Sequence, residues 1–196
     1  YITSRKDTLD PNSKEKFIRC HSNHLDSVSL NNAISESCNI YFWKSVKEFY
    51  SIYKPKWSFW MKKLGFSQKT GIELLYEKNA ILDSPRAKSQ MINKVIGQGE
   101  SKVTPVQVLQ MINIIANDGL LVRPKLSFDS SESGIQTNIR KKNLRFIQNA
   151  MEEAVIKGTA KNSKIENILI RAKTGTAELK SRYREGEKQD YHAWYA

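Results

Sequence analysis

Two short stretches hold residue types suited to nucleophilic and acid–base chemistry. Ser37-Cys38-Asn39 sets a hydroxyl and a carboxamide two residues apart, just before the aromatic-rich run that opens Ile40-Tyr41-Phe42. Lys173-Thr174-Gly175-Thr176 follows an apolar run, so a cation and two hydroxyls flank a residue with no Cβ. A serine hydroxyl reacts only when a neighbouring group takes its proton. Cys20, His21 and His24 cluster without a fourth ligand at a metal-binding spacing. Gly97-Gln98-Gly99 lacks the Gly-Lys-Ser/Thr continuation of a phosphate loop. No metal and no cofactor is expected.

These side chains need elements to hold them. Residues 1–28 show no clean period and read as irregular or edge structure. Ser29 is placed to cap a short helix through Glu36, with Leu30, Ala33 and Ile34 on its apolar face. The run Ile40 to Tyr53 reads as a helix ending before Pro55, and a second helical piece, Trp57 to Leu64, stops at Gly65. Thr70-Gly71 leads into a short strand, Ile72 to Leu75. Thr104-Pro105-Val106-Gln107 is the strongest local signal: a capping threonine, proline at the first helical position and glutamine where a capping box needs it. Val108, Leu109, Met111, Ile112 and Ile115 give that helix an apolar face, and Gly119 closes it at positive φ. A further helix starts near Asn143, with Leu144, Ile147, Met151, Ala154 and Val155 at helical spacing, and ends at Gly158. Ile165 to Ala172 reads as a strand entering Lys173, and a charged connection from Leu179 to Asp190 leads to a last strand, Tyr191 to Ala196. Helices followed by late strands give an α+β class rather than alternating βαβ. Trp43, Tyr53, Trp57 and Trp60 recur at helical spacings as core or groove lining, and Cys38 faces the core.

The chain has 196 residues, enough for one domain or part of a larger one, and 39% of them are hydrophobic, which supplies a core. Mean hydropathy is −0.56, and no apolar run approaches the length of a membrane span. The formal charge of +12, from 32 Lys+Arg against 20 Asp+Glu, invites a nucleic-acid reading. The basic residues are scattered, however. Lys54/Lys56, Lys62/Lys63 and Arg140-Lys141-Lys142 are not interleaved with aromatics, so the charge reads as a solvated surface and no nucleic-acid partner is expected. Two cysteines make no disulfide scaffold, and their spacing leaves a Cys20–Cys38 pairing open.

Taken singly these motifs are common; their order is not. Phe17-x-Arg19-Cys20-His21, Ser37-Cys38-Asn39-Ile40-Tyr41-Phe42, Thr70-Gly71-Ile72-Glu73-Leu74, Ile96-Gly97-Gln98-Gly99, Thr104-Pro105-x-Gln107, Gly158-Thr159-Ala160 and Lys173-Thr174-Gly175-Thr176-Ala177-Glu178 succeed one another. In this the chain, from about Phe17 to Ala196, resembles the transpeptidase domain of class B penicillin-binding proteins, most of all the elongation type called penicillin-binding protein 2. The resemblance implies the penicillin-recognising α+β fold, shared with serine β-lactamases: an antiparallel sheet, a helical lobe and a site between them. It implies a D,D-transpeptidase that crosslinks peptidoglycan stem peptides ending in D-Ala-D-Ala and is acylated by β-lactams.

In such a site Ser37 would relay a proton between the nucleophile's lysine and the departing amine, and Asn39 would hydrogen-bond that lysine and the substrate carbonyl. Lys173 would supply positive charge. Thr174 and Thr176 would hold the terminal carboxylate, and Gly175 would let a substrate backbone lie beside the strand. The implied partner is the membrane glycosyltransferase of the elongation machinery, and the implied location is the outer face of a bacterial inner membrane.

The family's own Ser-x-x-Lys nucleophile, which precedes Ser-x-Asn by some fifty residues or more, is not where the pattern requires it. Two matches occur, Ser13-Lys14-Glu15-Lys16 and Ser51-Ile52-Tyr53-Lys54. Ser13 lies only 24 residues before Ser37 and no capped apolar helix follows it, while Ser51 comes after Ser37, so both read as ordinary surface residues. Residues 1–196 are therefore expected to be a partial transpeptidase domain, lacking the nucleophile segment and the closing strands and helix, and to form no acyl-enzyme alone. Two other readings stand beside this one. A serine β-lactamase or β-lactam sensor shares the Lys-Thr-Gly strand but not the long Gly-Gln-Gly to Thr-Pro-x-Gln stretch. A non-catalytic basic module that grips peptidoglycan would account for the charge and the missing nucleophile.

Overall fold

The computed structural model describes residues 2–3, 27–66, 68–127, 134–178 and 190–196. In chain order the elements are β1 (Ile2–Thr3), β2 (Ser27–Val28), α1 (Leu30–Ser35), α2 (Asn39–Lys63), α3 (Lys88–Lys94), α4 (Pro105–Ala116), β3 (Leu120–Leu121), β4 (Ile135–Gln136), α5 (Lys141–Ile156), β5 (Thr174–Glu178) and β6 (Tyr191–Tyr195), with a 3-10 turn at Lys161–Ser163. The strands pair antiparallel as β1–β2, β3–β4 and β5–β6. The α+β class read from the sequence holds. Ser13, Cys20, His21, His24 and the connection 179–189 lie outside the described residues.

Local signals act where the sequence put them. Ser29 Oγ accepts the Asn32 N–H at 3.2 Å and starts α1. Thr104 and Gln107 close a reciprocal capping box on α4, with Pro105 as its first residue. Asp118 and Gly119 both take positive φ after α4. The inward stripe of α4 differs from the expected one: Gln107, Gln110 and Ile114 are buried, while Leu109 is 56% exposed. Both glutamines repay their burial with hydrogen bonds, Gln107 Nε2 to the Gln68 carbonyl and Gln110 Nε2 to the Val122 carbonyl.

Three expectations are corrected. α2 continues through Pro55, and the kink that divides it lies at Phe49, six residues earlier. Proline removes the N–H that would bond the Ser51 carbonyl, and the helix continues past that lost bond. Ile72 to Leu75 is a loop. The Glu77 carboxylate takes the Thr70 and Gly71 N–H groups and the Thr70 hydroxyl, which folds the segment back on its own entry. Ile165 to Ala172 is irregular, with Ile165, Ile168 and Leu169 more than half exposed. Its last residue bonds a helix and not a strand: the Ala172 N–H goes to the Met151 carbonyl of α5.

Among the described residues the core includes three clusters. Val28, Ala33, Cys38 and Ile40 pack with Tyr41, Phe42 and Trp43. Trp43 also reaches the second, where Tyr50, Tyr53 and Trp57 surround Val46, Met91 and Ile92 and so join α2 to α3. Trp60 stays outside it, 38% exposed. The third, Ala154, Val155, Ala160 and Ala172 with Ile170, holds the approach to β5 against α5. Among the described residues no helix is long and apolar enough to cross a membrane.

Candidate active site

Ser37 is presented by the end of a helix. Its N–H bonds the Ile34 carbonyl at 3.3 Å, and the Cys38 N–H bonds the Ala33 carbonyl at 2.8 Å. This pair of bonds is a Schellman cap, whose left-handed position glycine usually fills. Here Ser37 fills it, with φ 57°. A non-glycine residue is strained there, and what the position gains is a hydroxyl held on a rigid turn. Cys38, fully buried, anchors the next residue and α2 begins at Asn39.

Lys173 reaches the same point from the other end of the chain. Its Nζ donates to Ser37 Oγ at 2.6 Å and to the Thr174 carbonyl at 2.7 Å. The run-in is clamped to α5: the Ala172 N–H bonds the Met151 carbonyl, and the Arg171 guanidinium pairs with Glu152 at 3.2 Å. Burial holds the Lys173 ammonium below the ordinary lysine range. The structure therefore brings Ser37 and Lys173 together. Asn39 lies two residues along at the start of α2, half-buried, and is not joined to that pair by a hydrogen bond.

The register of β5 decides which of its groups are available. Lys173 and Ala196 exchange both N–H···O bonds, and Gly175 opposes Trp194 two residues further on. In an antiparallel pair such residues turn their backbone polar groups toward the partner, and the alternate ones turn theirs away. The N–H and C=O groups of Thr174 and Thr176 thus face the open edge of β5. Two donors already sit there, Lys173 Nζ on the Thr174 carbonyl and Gln98 Nε2 on the Thr176 carbonyl at 3.1 Å. A Cβ on Gly175 would come 3.4 Å from Trp194 Cβ, so its nearest neighbour is the partner strand.

Thr159 and Gln98 are structural members of the site to which sequence reasoning gave no role. Thr159 Oγ1 and Thr174 Oγ1 are 2.6 Å apart, and the Thr159 N–H bonds the Ser35 carbonyl at 3.2 Å. One residue thus ties the turn after α5 to both α1 and β5. Its neighbour Gly158 passes so close to α1 that a Cβ there would fall 2.2 Å from the Ser35 carbonyl oxygen. The short motifs Gly158-Thr159-Ala160 and Gly97-Gln98-Gly99 marked both places; the contacts belong to the tertiary fold. Ser51, the serine of the second Ser-x-x-Lys match, is exposed on α2 beside an equally exposed Lys54.

The family described as penicillin binding protein transpeptidase domain matches residues 3–196. The peptidoglycan D,D-transpeptidase MrdA of Acinetobacter baumannii is 26% identical over 192 residues, covering 87% of this chain and 28% of that protein. MrdA of Haemophilus influenzae is 32% identical over 126 residues, covering 59% of this chain and 19% of that protein. Among solved structures, penicillin-binding protein PBP2 from Helicobacter pylori, in complex with MreC, matches with a TM-score of 0.82 at 26% identity. That match covers 100% of this chain and 37% of the other. The chain thus spans well under half the length of each of these relatives.

Proposed function

The chain belongs to the penicillin-binding protein transpeptidase domain family, and we propose that it forms part of a peptidoglycan D,D-transpeptidase of the class B, elongation type. The observation that carries this reading is the 2.6 Å contact between Lys173 Nζ and Ser37 Oγ, made across 136 residues at the open edge of β5. In the proposed reaction a serine supplied from outside these residues attacks the carbonyl between two terminal D-alanines. The C–N bond breaks, the last D-alanine leaves with a proton, and an ester remains on the enzyme. The amine of a neighbouring stem peptide then displaces the serine and completes the crosslink.

Ser37 relays the proton to the departing amine. Lys173 orients the Ser37 hydroxyl and lends positive charge to the region of the substrate carboxylate. Asn39 holds the lysine paired with the nucleophile. Thr176, whose N–H faces the open edge, contributes half of an oxyanion hole, and the Thr174 and Thr176 hydroxyls receive the terminal carboxylate. A β-lactam enters by the same route and stays as a long-lived ester. The membrane glycosyltransferase of the elongation machinery is the proposed partner and the outer face of the inner membrane the proposed location, both on family resemblance.

The test is penicillin labelling of the full-length protein. Ser37→Ala and Lys173→Ala are each expected to slow acylation by about 10²–10⁴-fold, the usual worth of a positioned acid–base group. Wild-type labelling in both variants would overturn the assignment of these residues.

A further inference from the structure

We propose that the Gln98 carboxamide is an internal placeholder for a backbone N–H of the substrate, and that it must leave the Thr176 carbonyl before an extended peptide adds to β5. The proposal rests on the transpeptidase reading and deepens it by naming a residue that gates the same edge.

Four observations support it. The strand register points the Thr176 carbonyl away from β6, toward the side where Lys173 meets Ser37. An unpaired strand edge is a template for a guest strand, which binds through main-chain groups of this kind. The Thr176 carbonyl accepts the Gln98 Nε2–H at 3.1 Å, in the direction from which a guest N–H would come. Finally, Gln98 follows a turn of the same kind as the Ser37 turn, one position past its left-handed residue, where Cys38 stands in the other. The Gln98 N–H bonds the Asn93 carbonyl at 2.9 Å and the Gly97 N–H bonds the Lys94 carbonyl at 3.0 Å, with Gly97 at φ 77°.

A second Schellman cap, at the end of α3, thus fastens the Gln98 backbone independently of the side-chain bond to Thr176. Release needs a rotation of that side chain, not a refolding of the loop. The guest's N–H then replaces the carboxamide on the same acceptor, so the carbonyl is never left dry and unpaired.

Gln98 is therefore a competitor of the acyl donor, and removing its donor group should speed acylation. The measurement is the second-order rate constant for acylation of the full-length protein by a fluorescent penicillin that keeps its side-chain amide. Wild type is compared with Gln98→Ala and with Gln98→Met, which keeps the bulk and loses the N–H. Both variants are expected to react about 2- to 10-fold faster, the worth of one neutral hydrogen bond, with no loss in melting temperature. An unchanged or lower rate constant in Gln98→Met, while the wild type still labels, overturns the placeholder and leaves the transpeptidase reading intact. A wild type that takes up no label overturns both.

Discussion

Ser37 shows a side-chain requirement overriding a backbone preference. Its left-handed conformation would be cheapest for glycine, and a non-glycine residue there costs about 1–2 kcal/mol. Ser37→Gly and Ser37→Ala both delete the hydroxyl that meets Lys173, but only glycine relieves the strain. The glycine variant is therefore expected to be more stable than the alanine variant by about 1 kcal/mol, read from denaturant melts of the full-length protein. Equal stabilities would show that the turn carries no strain. Lys173 makes a second prediction at this scale. Burial lowers its pKa in the folded protein, so between the folded and unfolded values the unfolded chain binds more protons and stability rises with pH. The melting temperature of wild type relative to Lys173→Met should thus climb as pH is raised from neutral toward the ordinary lysine value. A flat difference would mean that the amine is as well solvated folded as unfolded.

Among the elements, close approach matters as much as periodicity. Gly158 reads from sequence as a helix stop, yet its φ is not positive; it is glycine because α1 lies against it at the Ser35 carbonyl. Gly158→Ala should push α1 from α5 and destabilise by about 1–3 kcal/mol, as overpacking does, with a fall in penicillin labelling because Ser37 rides on α1. The loop held by Glu77 gives an acid-side prediction. Burial works to raise its pKa, but the bonds from Thr70 and Gly71 and the charge of Lys69 outweigh it and leave the carboxyl below the ordinary range. A depressed carboxylate stabilises above its unfolded pKa and loses that contribution as pH falls through the folded one. The stability gap between wild type and Glu77→Gln should therefore be full at neutral pH and shrink below about pH 4. A gap that persists undiminished at pH 3 would show that the charge is irrelevant to the loop.

For the molecule as a whole, what the sequence disclosed depended on range. The caps at Ser29 and Thr104 are complete within four residues and were legible. So was the kinship of Ser37 with Lys173, because ordered motifs carry it. The contacts of Thr159 with Ser35 and of Gln98 with Thr176 join residues dozens of positions apart, while the loop at 72–75 turns on a carboxylate, Glu77, whose partners no periodicity marks. Apolar composition at Ile165, Ile168 and Leu169 suggested a strand, but composition does not supply the neighbour that a strand needs. Those side chains, with Leu75 and Tyr76 at 94% and 87% exposure, leave apolar surface open. The isolated 196-residue chain is expected to bind a hydrophobic dye and self-associate at micromolar concentration. Monomeric sedimentation with a sharp, cooperative melt would contradict that.

The distance along the chain between Ser37 and Lys173 also has a meaning in time. A ribosome adding roughly 5–20 residues per second exposes the serine turn on the order of ten seconds or more before its lysine exists. Throughout that interval the turn is a half-site with no counterpart. A nick or a slow-folding lesion anywhere in the intervening segment would then keep serine and lysine apart with both side chains chemically intact.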